Sequence, residues 1–214
     1  MNSLPSISLL SFDEDEAETL SEWARGLDWV HWLMDSVRQR VPHVAFVSPG
    51  GAREEISMVW DEFAETDWRS AVGPVLAEAW HAAHEGNVDQ LVACDAKLGD
   101  ALAPVSRQAS EEAGRRLLRT TRGARYQGVL GKYRVRVEET DSGCHAAVVW
   151  AATGCFFQLG LASVIAEYLH LEWDTATRHL TDRHGPLGKH GIAGLTSRML
   201  HEHAQRRGGL RVER

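Results

Sequence analysis

The chain has 214 residues, 43% of them hydrophobic and 25% charged, with eight tryptophans. That length buries one substantial core without demanding a second domain, and the tryptophan content excludes a chain that is disordered throughout. The net charge of -7 conceals an asymmetry: residues 1–100 hold 19 acidic and six basic side chains, whereas residues 101–214 hold 11 acidic and 17 basic, so the two halves attract each other.

Three cysteines, Cys94, Cys144 and Cys155, lack CxxC spacing and support neither a disulfide framework nor a structural zinc site. They fit a reducing cytoplasm. Asp13, Glu14, Asp15 and Glu16 stand where a secretory signal needs a basic start and an apolar run. The expectation is one cytoplasmic domain over residues 1–214, with a flexible acidic N-terminus and a flexible C-terminal tail.

In chain order, residues 17–40 place Leu20, Trp23, Ala24, Leu27, Val30, His31 and Met34 on one stripe of an amphipathic helix, interrupted by Gly26, which costs about 1 kcal/mol relative to alanine. Pro42 to Ala52 contains Pro49-Gly50-Gly51 and reads as a loop. A helix follows from Glu54 to Glu65, and another from Val72 to Glu85 with Pro74 in its first turn, where its missing donor is harmless. Gly86-Asn87 ends that helix and joins it to one over Asn87 to Leu102, an antiparallel hairpin. Ser106 reads as the cap of a helix running to Thr121.

Residues 122–143 break the helical rhythm. Gly123, Gly128 and Gly131 surround Tyr133, Val135 and Val137, which alternate with charged residues, the pattern of a short strand or an extended loop. Ala146 to Ala166 carries no charge and is long enough for a membrane span. Gln158 near its middle, glycines 154 and 160, and the lack of flanking basic clusters favour a buried helix, turn and helix instead. The second of these helices is expected from Leu161 to about His184, becoming amphipathic beyond Glu167, with Pro186 stopping it. A last helix is read from Ile192 to His203. The fold class is therefore all-α: a single-domain helical bundle with short connections and one longer loop or short strand near 122–143.

Gly185-Pro-Leu-Gly-Lys189 is similar to a phosphate-binding loop, but Arg183 and His190 occupy places that need Gly and Ser or Thr. His179, His184, His190, His201 and His203 cluster near the C-terminus, yet His201 and His203 do not share a helix face, so they are read as surface histidines and no metal site is assigned. Cys144 beside His145 suggests an activated thiol only by adjacency in sequence, whereas catalytic partners are adjacent in space. No catalytic residue and no cofactor is expected. Arg107, Arg115, Arg116, Arg119, Arg122, Arg125, Lys132, Arg134 and Arg136 supply the alternative, a helical nucleic-acid-binding protein using the basic 107–136 segment; an acidic protein surface is an equally good partner for that charge.

The stretch from Pro74 to Arg119 resembles the middle of the F-type urease accessory proteins. It runs from a helix through a Gly-Asn turn to R-x-x-S-x-x-x-G-R-x-L-L-R at Arg107, Ser110, Gly114, Arg115, Leu117, Leu118 and Arg119. The resemblance continues through His145-Ala-Ala-Val-Val, Leu159-Gly160-Leu161, Tyr168-Leu169 and Pro186-Leu187-Gly188, and Gly26-Leu27-Asp28 is similar to the family's Gly-Leu-Glu element. Departures are the acidic Ser11 to Leu20 stretch, Asp28 in place of Glu, Lys189 in place of Gln and the length of the 122–143 connection.

The resemblance implies a non-catalytic homodimer. It would bind the H- or D-type accessory protein, recruit the G-type GTPase and act with them on apo-urease during nickel insertion, without a membrane and without nucleic acid. It implies partner-binding residues at Gly26, Leu27, Asp28, Arg115, Arg119, Tyr168, Pro186, Leu187, Gly188 and Lys189.

Overall fold

Helical periodicity and glycine turns account for most of the architecture in the computed structural model, which describes residues 31–33, 35, 37, 40–41, 43–47, 53–120, 128–140, 143–177 and 191–209. The elements are α1 (Arg53–Phe63), a π-helical segment (Ala64–Val72), α2 (Gly73–His84), α3 (Val88–Ala101), α4 (Pro104–Thr120), α5 (Gly128–Thr140), α6 (Ala146–Phe156), α7 (Leu161–Thr177) and α8 (Ile192–Gly209). Among the described residues there is no strand, and the fold is all-α.

The organising element is α6. Every residue from Ala146 to Gly154 is buried, and α2, α4, α5 and α7 all pack against it. A helix apolar on every side belongs at the centre of a core or in a membrane, and no helix among the described residues is long and apolar enough to cross one. The charge-free run folds as helix, turn and helix. Gln158 takes φ 60° in the turn, and the Leu159 N–H donates to the Gly154 carbonyl at 2.9 Å, which closes the end of α6. Gly154 also marks where α7 crosses, since a Cβ there would collide with Val164 Cγ2.

The α2–α3 hairpin follows from its turn residues. Gly86 sits at φ 73°, a left-handed conformation that side chains resist, and the Asn87 side chain caps α3 by accepting the Gln90 N–H at 3.0 Å.

Several sequence-based expectations are corrected. Residues 128–140 form a helix rather than a strand or loop: Leu130, Tyr133 and Val137, spaced three and four apart, are buried together while Val135 is 48% exposed. The alternation of Tyr133, Val135 and Val137 was therefore not a strand's alternation, because only two of the three share a face. Ser106 does not cap α4, which starts two residues earlier at Pro104, a residue suited to the first turn because its missing donor has no intrahelical partner there.

The helices expected to end near Glu65 and restart at Val72 are joined without a break by the π-helical segment. Its wider turn, with the Gly73 N–H donating to the Trp68 carbonyl five residues back, carries the helix up to Pro74, whose ring would otherwise press on the carbonyl four residues before it. Beyond Glu167, α7 is not amphipathic, since residues 168, 169, 171–173 and 175–177 are all buried. At the N-terminal end, the backbone of His31, Leu33 and Val37 is helical as expected, but Leu33 and Val37 are the buried pair and His31 is exposed. The other members of the expected stripe, Leu20, Trp23, Ala24, Leu27, Val30 and Met34, lie outside the described residues. The last helix extends beyond His203 to Gly209.

Candidate partner-binding surface

The segment that carries the family-like pattern, α4, divides cleanly into an inner and an outer face. Ser110, Ala113, Gly114, Leu117 and Leu118 are buried, and Arg115 and Arg119, four residues apart, are exposed together. Gly114 is where the backbone of α4 meets the entry to α6: a Cβ would collide with the Cys144 carbonyl oxygen and stand 2.8 Å from the Ala146 nitrogen. Ser110 Oγ accepts the Ala146 N–H at 3.3 Å. The small residues of the pattern thus lock α4 across the start of α6, which leaves the arginines on a face with little freedom to move as a whole.

Their charge is partly balanced within the helix. Arg115 lies 3.6 Å from Glu111 and Arg116 3.0 Å from Glu112, while Arg119 forms no ion pair among the described residues. Pairs this exposed contribute at most about 1 kcal/mol. Both partners stay available to an incoming charge.

Behind this face lies a polar junction that the sequence reading passed over. Asp95 on α3 is 1% exposed. It accepts the His145 N–H at 2.8 Å and a hydrogen bond from the Tyr133 hydroxyl, so a single carboxylate ties α3 to α5 and to the start of α6. Burial pushes this carboxyl up to about 7, although the bonds from Tyr133 and His145 act in the opposite direction. The His145 imidazole is pushed down to about 4, mainly by burial and then by the Arg107 and Arg115 cations, and is therefore neutral. The adjacent Cys144 thiol is completely buried and held protonated far above its usual range by desolvation and the nearby Asp95 charge. An activated thiol needs a lowered pKa, so Cys144 and His145 are packing residues in this arrangement and not a nucleophile and base.

A second buried acid secures the other side of the bundle. Glu172 on α7 accepts the Ala45 N–H at 3.0 Å and the Phe46 N–H at 2.9 Å, pinning residues 43–47 against α7. Burial raises it to about 7, against the lowering effect of those two amides and of Tyr168. Phe46 is held in turn by an aromatic cluster, 5.2 Å from Trp60 and 5.3 Å from Phe63 between ring centroids. The sequence contained one signal for both acids: each interrupts an otherwise apolar face, Asp95 among Leu91, Cys94 and Leu98, and Glu172 among Leu169, Leu171 and Trp173.

Of the residues assigned to partner binding, Arg115 and Arg119 are brought together on α4. Tyr168 is fully buried and its ring stacks on Trp68 at 6.1 Å, so it presents no surface and supports the bundle beneath α7. Gly26, Leu27, Asp28, Pro186, Leu187, Gly188 and Lys189 lie outside the described residues, as do His179, His184 and His190. Among the described residues, His, Cys, Asp and Glu form no group of three that could hold a metal ion.

The helical bundle thus combines outward-facing charge on α4, an inner face locked by small residues and a fully buried thiol. A family model, UreF, matches residues 63–177, from the last residue of α1 to the last of α7. The chain belongs to the UreF family, the urease accessory proteins with a role in nickel insertion. No curated protein matches the chain significantly.

Proposed function

We propose that the chain is a non-catalytic scaffold and regulator of GTPase-dependent nickel insertion into urease. In this reading it works in the cytoplasm as a homodimer that binds the H- or D-type accessory protein, recruits the G-type GTPase and engages apo-urease, with nickel as cargo and GTP held by the partner. The observation that carries the reading is the α4 arginine face. Ser110 and Gly114 fix its inner side across the start of α6, while Arg115 and Arg119 point away from that lock and offer paired cations to an acidic surface. Gly26–Asp28 and Pro186–Lys189 are proposed as further contact points. Affinity purification of the tagged chain from its native cell, followed by identification of co-purifying proteins, tests the reading. A GTPase and urease subunits are the expected companions, and their absence from a stable complex containing other proteins would overturn it.

A further inference from the structure

The outer face of α5 carries a second surface, on a different helix from the arginine face and independent of what binds there. Lys132, Val135, Arg136 and Glu139 follow one another at helical spacing, on the side of α5 away from the buried Leu130, Tyr133 and Val137. With the start of α3 this stripe forms a surface groove of about 600 Å³. Its apolar part is Val88 and the 48% exposed Val135. Arg136 is drawn to one wall by Asp89, 2.7 Å away, whereas Lys132 and Arg134 form no ion pair among the described residues. The N-terminus of α3, capped at Asn87, adds the positive end of a helix dipole.

We propose that this groove docks an acidic polypeptide segment of a partner protein, seating an aliphatic or aromatic side chain on Val88 and Val135 and pairing carboxylates with Lys132 and Arg134. The charge pattern separates this occupant from a nucleic acid. Asp89 and Glu139 line the same groove and repel a continuous phosphate backbone, while a peptide can place its carboxylates selectively. Among the described residues no aromatic side chain lines the groove on which a base would stack, and the half-exposed Val135 beside the partly buried Val88 suits a side-chain anchor better than a sugar.

Fluorescence anisotropy of the full chain with a fluorescein-labelled peptide of aspartates and glutamates around one Leu-Phe pair tests the proposal. Saturable binding that weakens with salt is expected, with none for the same peptide carrying lysines in place of its acids. The double variant Lys132→Glu, Arg134→Glu and the single variant Val135→Asp should each weaken binding about tenfold or more, while Arg116→Glu on α4 leaves it unchanged. All of these positions reach solvent, and circular dichroism with a thermal melt confirms that each variant is folded. Absence of saturable binding, or binding that survives both groove variants, overturns the proposal. Displacement of the acidic peptide by a single-stranded RNA oligonucleotide that itself binds through Lys132 and Arg134 assigns the groove to nucleic acid and overturns it equally.

Discussion

Asp95 and Glu172 are both buried carboxylates without an ion pair among the described residues, yet they hold different kinds of structure together. Asp95 joins three helices, and both its partners, Tyr133 and His145, lie inside the span that matches the UreF family. Glu172 reaches out of that span to the amides of Ala45 and Phe46. An unpaired buried charge is costly, so each acid has to be compensated by the donors it collects. The contrast teaches that the same device serves two ends: at Asp95 it fixes the junction behind the arginine face, and at Glu172 it fastens a peripheral segment onto a finished bundle. Damage at the first should spread through the molecule, and damage at the second should stay local.

The sharpest test of the first half is Gly114→Val, because its side chain would be driven into the Cys144 carbonyl and the Ala146 nitrogen, neither of which can rotate aside. A loss of about 3 kcal/mol or more is expected in urea denaturation, and a near-neutral result would mean that α4 is not locked across α6. Next comes Asp95→Ala, which leaves the His145 N–H and the Tyr133 hydroxyl buried without their acceptor and should cost about 2 to 3 kcal/mol. Asp95→Asn retains an acceptor oxygen and removes the buried charge, so it should cost distinctly less. Equal losses for the two would show that shape, and not hydrogen bonding, holds the junction.

Both acids also make stability depend on pH, with a sign opposite to that of a salt-bridged carboxylate. Their folded pKa values of about 7 lie above the ordinary values of 3.8 and 4.5, so the folded state binds protons the unfolded state has released. The stability they contribute is fully present below the ordinary carboxylate range and is lost as pH rises toward and through 7. His145 acts the other way: its folded value of about 4 lies below 6.5, so its contribution is present above 6.5 and lost as pH falls toward 4. Between about 5 and 6.5 the two acids outnumber the histidine by one proton, so the joint contribution of these three groups to stability should climb on acidification, by at most about 1.4 kcal/mol per pH unit. Urea titrations at several pH values measure that slope. Asp95→Asn and Glu172→Gln should each remove one acid's share, and an unchanged slope in both variants would show that neither acid titrates in this window.

The Glu172 side of the comparison is read locally. Glu172→Gln keeps one acceptor oxygen in place of two and should lower global stability by about 1 kcal/mol. Hydrogen exchange at the Ala45 and Phe46 amides should speed up well beyond that, with exchange in α6 little changed. If α6 and residues 45–46 lose protection in step, the segment unfolds only with the whole bundle and the contrast with Asp95 disappears.

Much of this architecture was legible in the sequence for a physical reason: long helices with capped or glycine-marked ends declare themselves locally. Asn87 and Gly86 predicted the hairpin between α2 and α3, and the charge-free run broken near glycines 154 and 160 predicted the buried core. What escaped was decided by tertiary partners. Residues 128–140 look strand-like in isolation and become helical where Leu130, Tyr133 and Val137 find α6 and α3. Asp95 and Glu172 carry no local sign of the amides they bind, because those donors stand 50 and 126–127 residues away. In the candidate site, Arg115 and Arg119 were legible from their spacing, and the burial of Tyr168 was not, since the Trp68 ring that covers it comes from the π-helical segment.

The smallest expected effect on stability belongs to the residues expected to matter most for binding. Arg115→Glu combined with Arg119→Glu removes one exposed pair with Glu111 and places like charges near it. Each exposed pair is worth at most about 1 kcal/mol, and like charges four apart on a helix cost a few tenths of a kcal/mol, so the folded state should lose less than about 1 kcal/mol. Helicity should be unchanged because Leu117 and Leu118 keep the inner face buried. Association with an acidic partner surface answers to a different balance: reversing two cations replaces attraction with repulsion and slows encounter as well as weakening the complex. Co-purification of the accessory partners should therefore fall sharply at low ionic strength, where the wild-type advantage is greatest, and the difference should narrow as salt screens the charges. A variant that stays folded and recovers its partners as well as the wild type does at low salt would show that the lock around Gly114 and Asp95 supports packing alone, and that the surface recruiting the partners lies elsewhere on the molecule.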